Sequence, residues 1–262
     1  GRRWNIESAK RAMNYCPPPP INIVKRKWVG DWNRHCSMEQ AVLSTDKTWL
    51  SCPPPPVCSA FEQFIKRDKA KERLVAWKKK CSGEKVVIPE DNDPICFMPN
   101  ENIQTIVVHH TQTPQNFGPV VIQEIHHVRL FDDIGYHFLI ANTPTGWGIF
   151  EARPVEFEGA HVGAGLNSGS IGIAIAGDYN RKSGYGQINR KAQFNSLLPP
   201  PKAMHLLLGL VYKLARDYPI KKIYSHGQLK KLESGCTTDC PGYSFNDLLV
   251  HFRPMFFRVA QN

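Results

Sequence analysis

The chain has 262 residues, 42% hydrophobic and 21% charged, with a formal net charge of +10. That length fits one large domain or two small ones, and the composition builds a packed core; no apolar run approaches the ~18 residues of a membrane span. A basic protein favours anionic partners (nucleic acid, acidic lipid, or a wall rich in carboxylate and phosphate), and charge alone does not choose among them.

The first hundred residues carry two Cys-Pro-Pro-Pro-Pro blocks, starting at Cys16 and Cys52. Proline runs favour extended polyproline II structure and stay out of helices and central strands. Their recurrence hints at a repeat, although the residues after each block match poorly. Cys16, Cys36, Cys52, Cys58, Cys81 and Cys96 cluster here, while Cys236 and Cys240 lie near the end. An even number of cysteines predicts disulfides and an oxidising compartment, against the alternative of free buried thiols. After the second block, Phe61, Phe64 and Ile65 and then Leu74, Val75 and Trp77 give helical spacing, with Lys and Arg between. Pro89, Pro94 and Pro99 mark a linker. Residues 1–100 thus read as a Pro/Cys-rich basic N-terminal region of unknown role, either a docking arm or a structural wrap. Residues 101–262 read as the second domain.

Beyond residue 100 the pattern alternates. Residues 103–110 form a buried strand rich in Ile and Val. Residues 119–130 carry apolar positions at helical spacing, with proline suitably placed at the start. Residues 136–141 and 148–152 read as strands around a Pro-Thr-Gly turn, and 170–176 as another. A helix over 202–218 stops at Pro219. A short strand over 222–226 and a last helix over 244–257, bent near Pro254, complete the chain. The order implies an α/β fold with a mixed central β-sheet flanked by helices.

Three residues at or near strand ends could hold a metal. His109 ends the first strand, His226 ends a later one, and Cys240 lies in the turn before Pro241. A His-His-Cys set suits a zinc ion that keeps a fourth position open. The ordinary alternatives are hydrogen-bonded structural histidines and a buried or oxidised cysteine. Cys236 is a rival, as a ligand or as a disulfide partner of Cys240.

The surrounding words are Ile106-Val-Val-His-His-Thr111, Asp133-Ile-Gly-Tyr-His-Phe-Leu-Ile140, Gly159-Ala-His-Val-Gly-Ala-Gly-Leu-Asn167, Ser170-Ile-Gly-Ile-Ala-Ile-Ala-Gly-Asp178 and Asp239-Cys-Pro-Gly242. In this order, over roughly residues 100–250, the chain resembles the type 2 N-acetylmuramoyl-L-alanine amidase and peptidoglycan recognition protein family. The resemblance implies an enzyme with one zinc per chain, held by His109, His226 and Cys240. It would hydrolyse the amide between N-acetylmuramic acid and L-alanine in peptidoglycan. It also implies Tyr136 as the catalytic tyrosine and Thr238 as a residue facing the bound water. His161 and Asn167 match a family loop that touches substrate or braces the rim of the site. His110 and His137 alternate with His109 and Tyr136, so both are expected to be structural.

Three departures stand out. Ser225-His226-Gly227 replaces the family's Gly-His-Arg, the stretch from His226 to Cys240 is long, and Leu130-Phe131 replaces Gly-Trp. No acidic residue is obvious as a general base. The alternative function is a non-catalytic peptidoglycan-binding module, and relatives of that kind commonly lack the cysteine ligand. No nucleic-acid motif accompanies the basic charge, so peptidoglycan is the expected partner and nucleic acid is not. The expected location is extracytoplasmic (secreted, periplasmic or wall-associated), or else a phage-encoded lysin or virion component. Oligomeric state is not legible.

Overall fold

The computed structural model describes residues 21–28, 48–51, 58–89, 95–163, 165–180 and 198–259. Both proline blocks and the expected repeat lie outside the described residues, as do Cys16, Cys36 and Cys52. The elements are β1 (Ile23–Trp28), β2 (Thr48–Ser51), α1 (Ala60–Cys81), β3 (Thr105–His110), α2 (Pro119–Val128), β4 (Phe138–Thr143), β5 (Gly146–Glu151), β6 (Ser170–Ile175), α3 (Pro201–Asp217), β7 (Lys222–Ser225), α4 (His226–Ser234) and α5 (Tyr243–Val259). One seven-stranded sheet runs β2-β1-β5-β4-β6-β3-β7. Its pairs are parallel except for the β4–β5 hairpin. This is the mixed α/β sheet that the alternating pattern predicts.

The central strands read as near-continuous apolar runs because helices cover both faces. All six residues of β6 are buried. On one face Ile106, Val108, Ile171 and Ile173 pack against Leu207 and Leu210 of α3 and Phe245 and Phe252 of α5. On the other, Leu139, Ala141 and Ala174 pack with Ile122 of α2 and the fully buried Trp49 of β2, while Val107 meets Val162 and Leu229 of α4. Each large side chain so buried contributes roughly 1.5–3 kcal/mol. Alternation along β3 therefore turns His109 to the α2/α4 face and His110 to the α3/α5 face.

Several elements depart from the sequence reading. Strands β1 and β2 were not expected, and β1 pairs with β5, Ile23 opposite Ile149. Trp49 Nε1 donates to the Glu151 carbonyl at 2.5 Å. The expected linker is partly docked: Ile95, Cys96 and Met98 are buried, and the Met98 N–H donates to the Glu156 carbonyl at 2.7 Å. Helix α1 forms where expected, opened by a Ser59–Glu62 capping box. Its expected apolar face packs only in part, through the half-buried Leu74 and Trp77. Phe61, Phe64 and Val75 are exposed, whereas Arg73 is buried. Lys66 pairs with Glu158 at 3.1 Å, Ala70 approaches Gly165, and Trp77 takes the Lys230 ammonium 4.3 Å from its ring centroid. The docking stripe is thus 66, 70, 73 and 77, a helical spacing of polar, small and aromatic residues. Nothing among the described residues explains the exposed phenylalanines.

Candidate metal centre

His109, the fifth residue of β3, ends up beneath α4 because β3 pairs in parallel with β7 and α4 starts directly at the end of β7. His226 is the first residue of α4, not the last of a strand. Ser225 caps that helix: its Oγ accepts from the Gln228 N–H, and the Gln228 side chain returns to the Ser225 N–H. This reciprocal capping fixes where the helix begins and so where His226 points. The Gly227 N–H donates to the Cys240 carbonyl at 2.9 Å. A Cβ at position 227 would run into the Thr238 and Cys240 carbonyl oxygens. The departure from Gly-His-Arg to Ser-His-Gly therefore has a physical reason: serine caps and glycine admits the turn that carries Cys240.

The ligand atoms of His109, His226 and Cys240 lie within 4.8 Å of one another. Cys240 Sγ is 3.8 Å from His109 Nδ1. The other ring nitrogen, His109 Nε2, is 3.0 Å from His161 Nδ1. The His226 ring bonds to the Val162 backbone, and its Nε2 is buried without a hydrogen-bond partner. An orphaned buried nitrogen is costly unless something takes its lone pair. Facing a thiol and a second imidazole, it fits a metal.

The electrostatics agree with that donor set. Burial first, then His226 and His161, hold His109 well below the ordinary histidine range. Burial, then Lys230, lowers His226 to about 4. Both rings are therefore neutral at pH 7 and offer lone pairs. Cys240 is the free cysteine among the described residues, and desolvation pushes its thiol up to about 12. A bound divalent cation inverts that preference and strips the thiol proton. Cys236, the rival ligand, is bonded to Cys81, and a second disulfide joins Cys58 to Cys96.

The remaining expected site residues surround this cluster. The Tyr136 ring centroid is 5.3 Å from that of His109. Burial, then Cys240, raises its pKa above the ordinary tyrosine value, so the hydroxyl stays protonated. Thr238 is half-buried, and its Oγ1 accepts from the Cys240 N–H at 3.4 Å. His161 is buried against His109. With His109 Nδ1 turned to the cluster, its Nε2–H donates to His161 Nδ1, and His161 Nε2–H faces Ser170 Oγ at 3.4 Å. Such a partner fixes both tautomer and ring orientation. Asn167 Oδ1 accepts from the N–H groups of His161 and Val162 at 3.0 and 2.9 Å. His161 thus braces the His109 ring from behind, and Asn167 holds the His161 backbone.

His110 and His137 are hydrogen-bonded structural residues as expected, but only His110 turns away; the His137 ring meets that of His161, with centroids 5.6 Å apart. His110 Nδ1 accepts from the Tyr179 N–H at 3.2 Å, and His137 Nδ1 from the Gly172 N–H at 2.9 Å. The sequence reading missed Ser170 beyond His161. It also missed the pairing of Asp133 with Arg26 at 2.8 Å; no local signal links two residues so far apart in the chain.

Comparison with known proteins agrees with the motif order. A family model described as N-acetylmuramoyl-L-alanine amidase matches residues 99–243. The amidase LysC of Clostridium intestinale URNW is 30% identical, with 61% of this chain and 88% of that one covered and a TM-score of 0.44. The endolysine amidase LysCS of the same organism is 30% identical, covering 57% and 81%, with a TM-score of 0.42. Drosophila PGRP-LB is 20% identical, covering 66% and 89%, with a TM-score of 0.43. No curated protein sequence matches the chain.

Proposed function

The chain belongs to the N-acetylmuramoyl-L-alanine amidase family, and from that premise we propose that it is a zinc-dependent hydrolase of the N-acetylmuramoyl–L-alanine amide in peptidoglycan. The observation that carries this reading is the convergence of His109, His226 and Cys240 around the unpartnered His226 Nε2. One thiolate and two neutral imidazoles would hold one zinc with a net charge of +1. A zinc ion, when bound, supplies Lewis acidity toward the amide carbonyl and acidifies water toward a pKa of about 7.

The chain's own groups divide the remaining work. Tyr136, kept protonated by its surroundings, donates a hydrogen bond to the oxygen on which negative charge develops. Thr238 orients the attacking water and steadies the Cys240 turn. His161 and Asn167 act behind the site, keeping His109 in the tautomer that presents Nδ1. Peptidoglycan is the partner, and the net charge of +10 suits its carboxylates. The Cys58–Cys96 and Cys81–Cys236 disulfides favour action in an oxidising compartment or at the cell wall, as a secreted, periplasmic or wall-associated enzyme or as a phage lysin.

The test is digestion of purified peptidoglycan. Free L-alanine amino termini should appear without new reducing sugar ends. Reducing ends would mean a glycosidase, and binding without release of either product would mean a recognition module.

A further inference from the structure

The segment leading to Tyr136 is anchored to a residue far away in the N-terminal region. Arg26 lies in β1, and its side chain and that of Asp133 are each only 1% exposed. Arg26 Nη1 donates to Asp133 Oδ2 and to the Ala152 carbonyl, both at 2.8 Å. Its Nη2 donates to Asp133 Oδ1 at 2.8 Å and to Ser51 Oγ at 2.7 Å. Asp133 Oδ1 also accepts from Gln123 Nε2 and from the Ile134 N–H, at 3.0 and 2.7 Å. Burial alone would raise the Asp133 pKa; the Arg26 charge reverses that, and the carboxyl sits below its ordinary value.

Between Asp133 and Tyr136 the backbone is pinned at successive points. The Asp133 and Ile134 carbonyls accept from Arg153, at 3.3 and 3.0 Å. The Gly135 N–H donates to His126 Nδ1 at 2.8 Å. The Gly135 carbonyl accepts from the Ala160 N–H, and the Tyr136 carbonyl from the Arg153 N–H, both at 2.9 Å. A side chain at Gly135 would collide with the Ala160 carbonyl.

Two desolvated charges are a poor way to add stability, because a well-packed apolar pair of the same volume does as well or better. A bidentate pair adds direction: two parallel bonds fix the carboxylate plane. Here that plane is joined by the Ile134 N–H to the short segment that aims a tyrosine at the cluster. We propose that Arg26 is a positioning residue for the amidase reaction, setting the Tyr136 hydroxyl against the metal site through Asp133. The proposal rests on the zinc-amidase reading above.

The test is a double-mutant cycle in the full-length protein, assayed on a soluble N-acetylmuramoyl peptide. Arg26→Lys keeps the charge and loses the fork. It should lower kcat about tenfold, the scale of a small misplacement, with KM and bound zinc unchanged. In a Tyr136→Phe background the same change should cost less than about twofold, because the group it positions is gone. An equal loss in both backgrounds, or parental kcat in folded Arg26→Lys, would overturn the proposal. If Arg26→Lys does not fold, Ser51→Ala removes a partner of the guanidinium and leaves the ion pair. It should lower kcat about threefold in the parent and not in Tyr136→Phe, and additivity there would overturn the proposal equally. Parental kcat in Tyr136→Phe alone would instead sink the mechanism on which the proposal rests.

Discussion

At the scale of residues, the candidate chemistry rests on groups held neutral by burial. Tyr136→Phe removes one hydroxyl and keeps the ring that packs beside His109. If that hydroxyl stabilises the developing oxyanion, kcat should fall on the order of 10²–10³, with little change in KM. Bound zinc and melting temperature should stay near parental. A folded, zinc-loaded variant with parental kcat would remove Tyr136 from the mechanism. The buried histidines behind the site make a second prediction. Burial first, and nearby arginines, lower His126 to about 3; burial lowers His137 to about 4. The unfolded chain protonates both near 6.5 while the folded chain resists, so unfolding takes up protons between pH 6.5 and 3. Their contribution to stability is therefore lost as pH falls through that window, on the order of 3 kcal/mol for each histidine by pH 4. Urea unfolding at pH 7 and pH 4.5 measures this, and equal midpoints would contradict it.

At the scale of elements, the strands and helices of the second region were legible because their apolar periods are long and regular, as in β6 and α3. Helix α4 was not. The strand reading runs on through His226, although the Ser225–Gln228 capping box is a helix-start signal present in the sequence. The replacement of the family's Gly-Trp by Leu130-Phe131 gains a structural meaning: Leu130 has φ 65°, a left-handed conformation that glycine adopts freely. The stretch from His226 to Cys240 is long, and the fold accounts for it. The Cys81–Cys236 disulfide ties this stretch to α1, so Cys236 has no free thiol to rival Cys240. No spacing rule pairs cysteines so far apart, and connectivity is not legible from sequence. Replacing Cys81 and Cys236 together by serine should lower unfolding stability by about 2–5 kcal/mol, read by denaturant titration. It should also weaken zinc retention during dialysis. Unchanged stability and zinc retention would show that the tether does not support the ligand turn.

At the scale of the whole molecule, composition changes near residue 100 while the sheet runs across that point. β1 and β2 were illegible because each is short and polar residues interrupt them: Lys25, Arg26 and Lys27 sit inside β1. What seats them is distant: the Arg26–Asp133 pair and Trp49 under the sheet. Conversely, the His109–His226–Cys240 cluster was legible because its three residues sit in words whose order is shared by a family, and the fold brings those words together beside the adjacent ends of β3 and β7. The central claim is that His109, His226 and Cys240 hold a zinc ion on which amide hydrolysis depends. The most direct test strips the full-length protein with chelator, restores zinc in steps, and follows bound zinc and L-alanine release together, with Cys240→Ser in parallel. The account predicts activity rising with zinc to a plateau at about one ion per chain, and neither tight zinc nor activity in Cys240→Ser. Full activity in metal-free protein, or in Cys240→Ser, would contradict it.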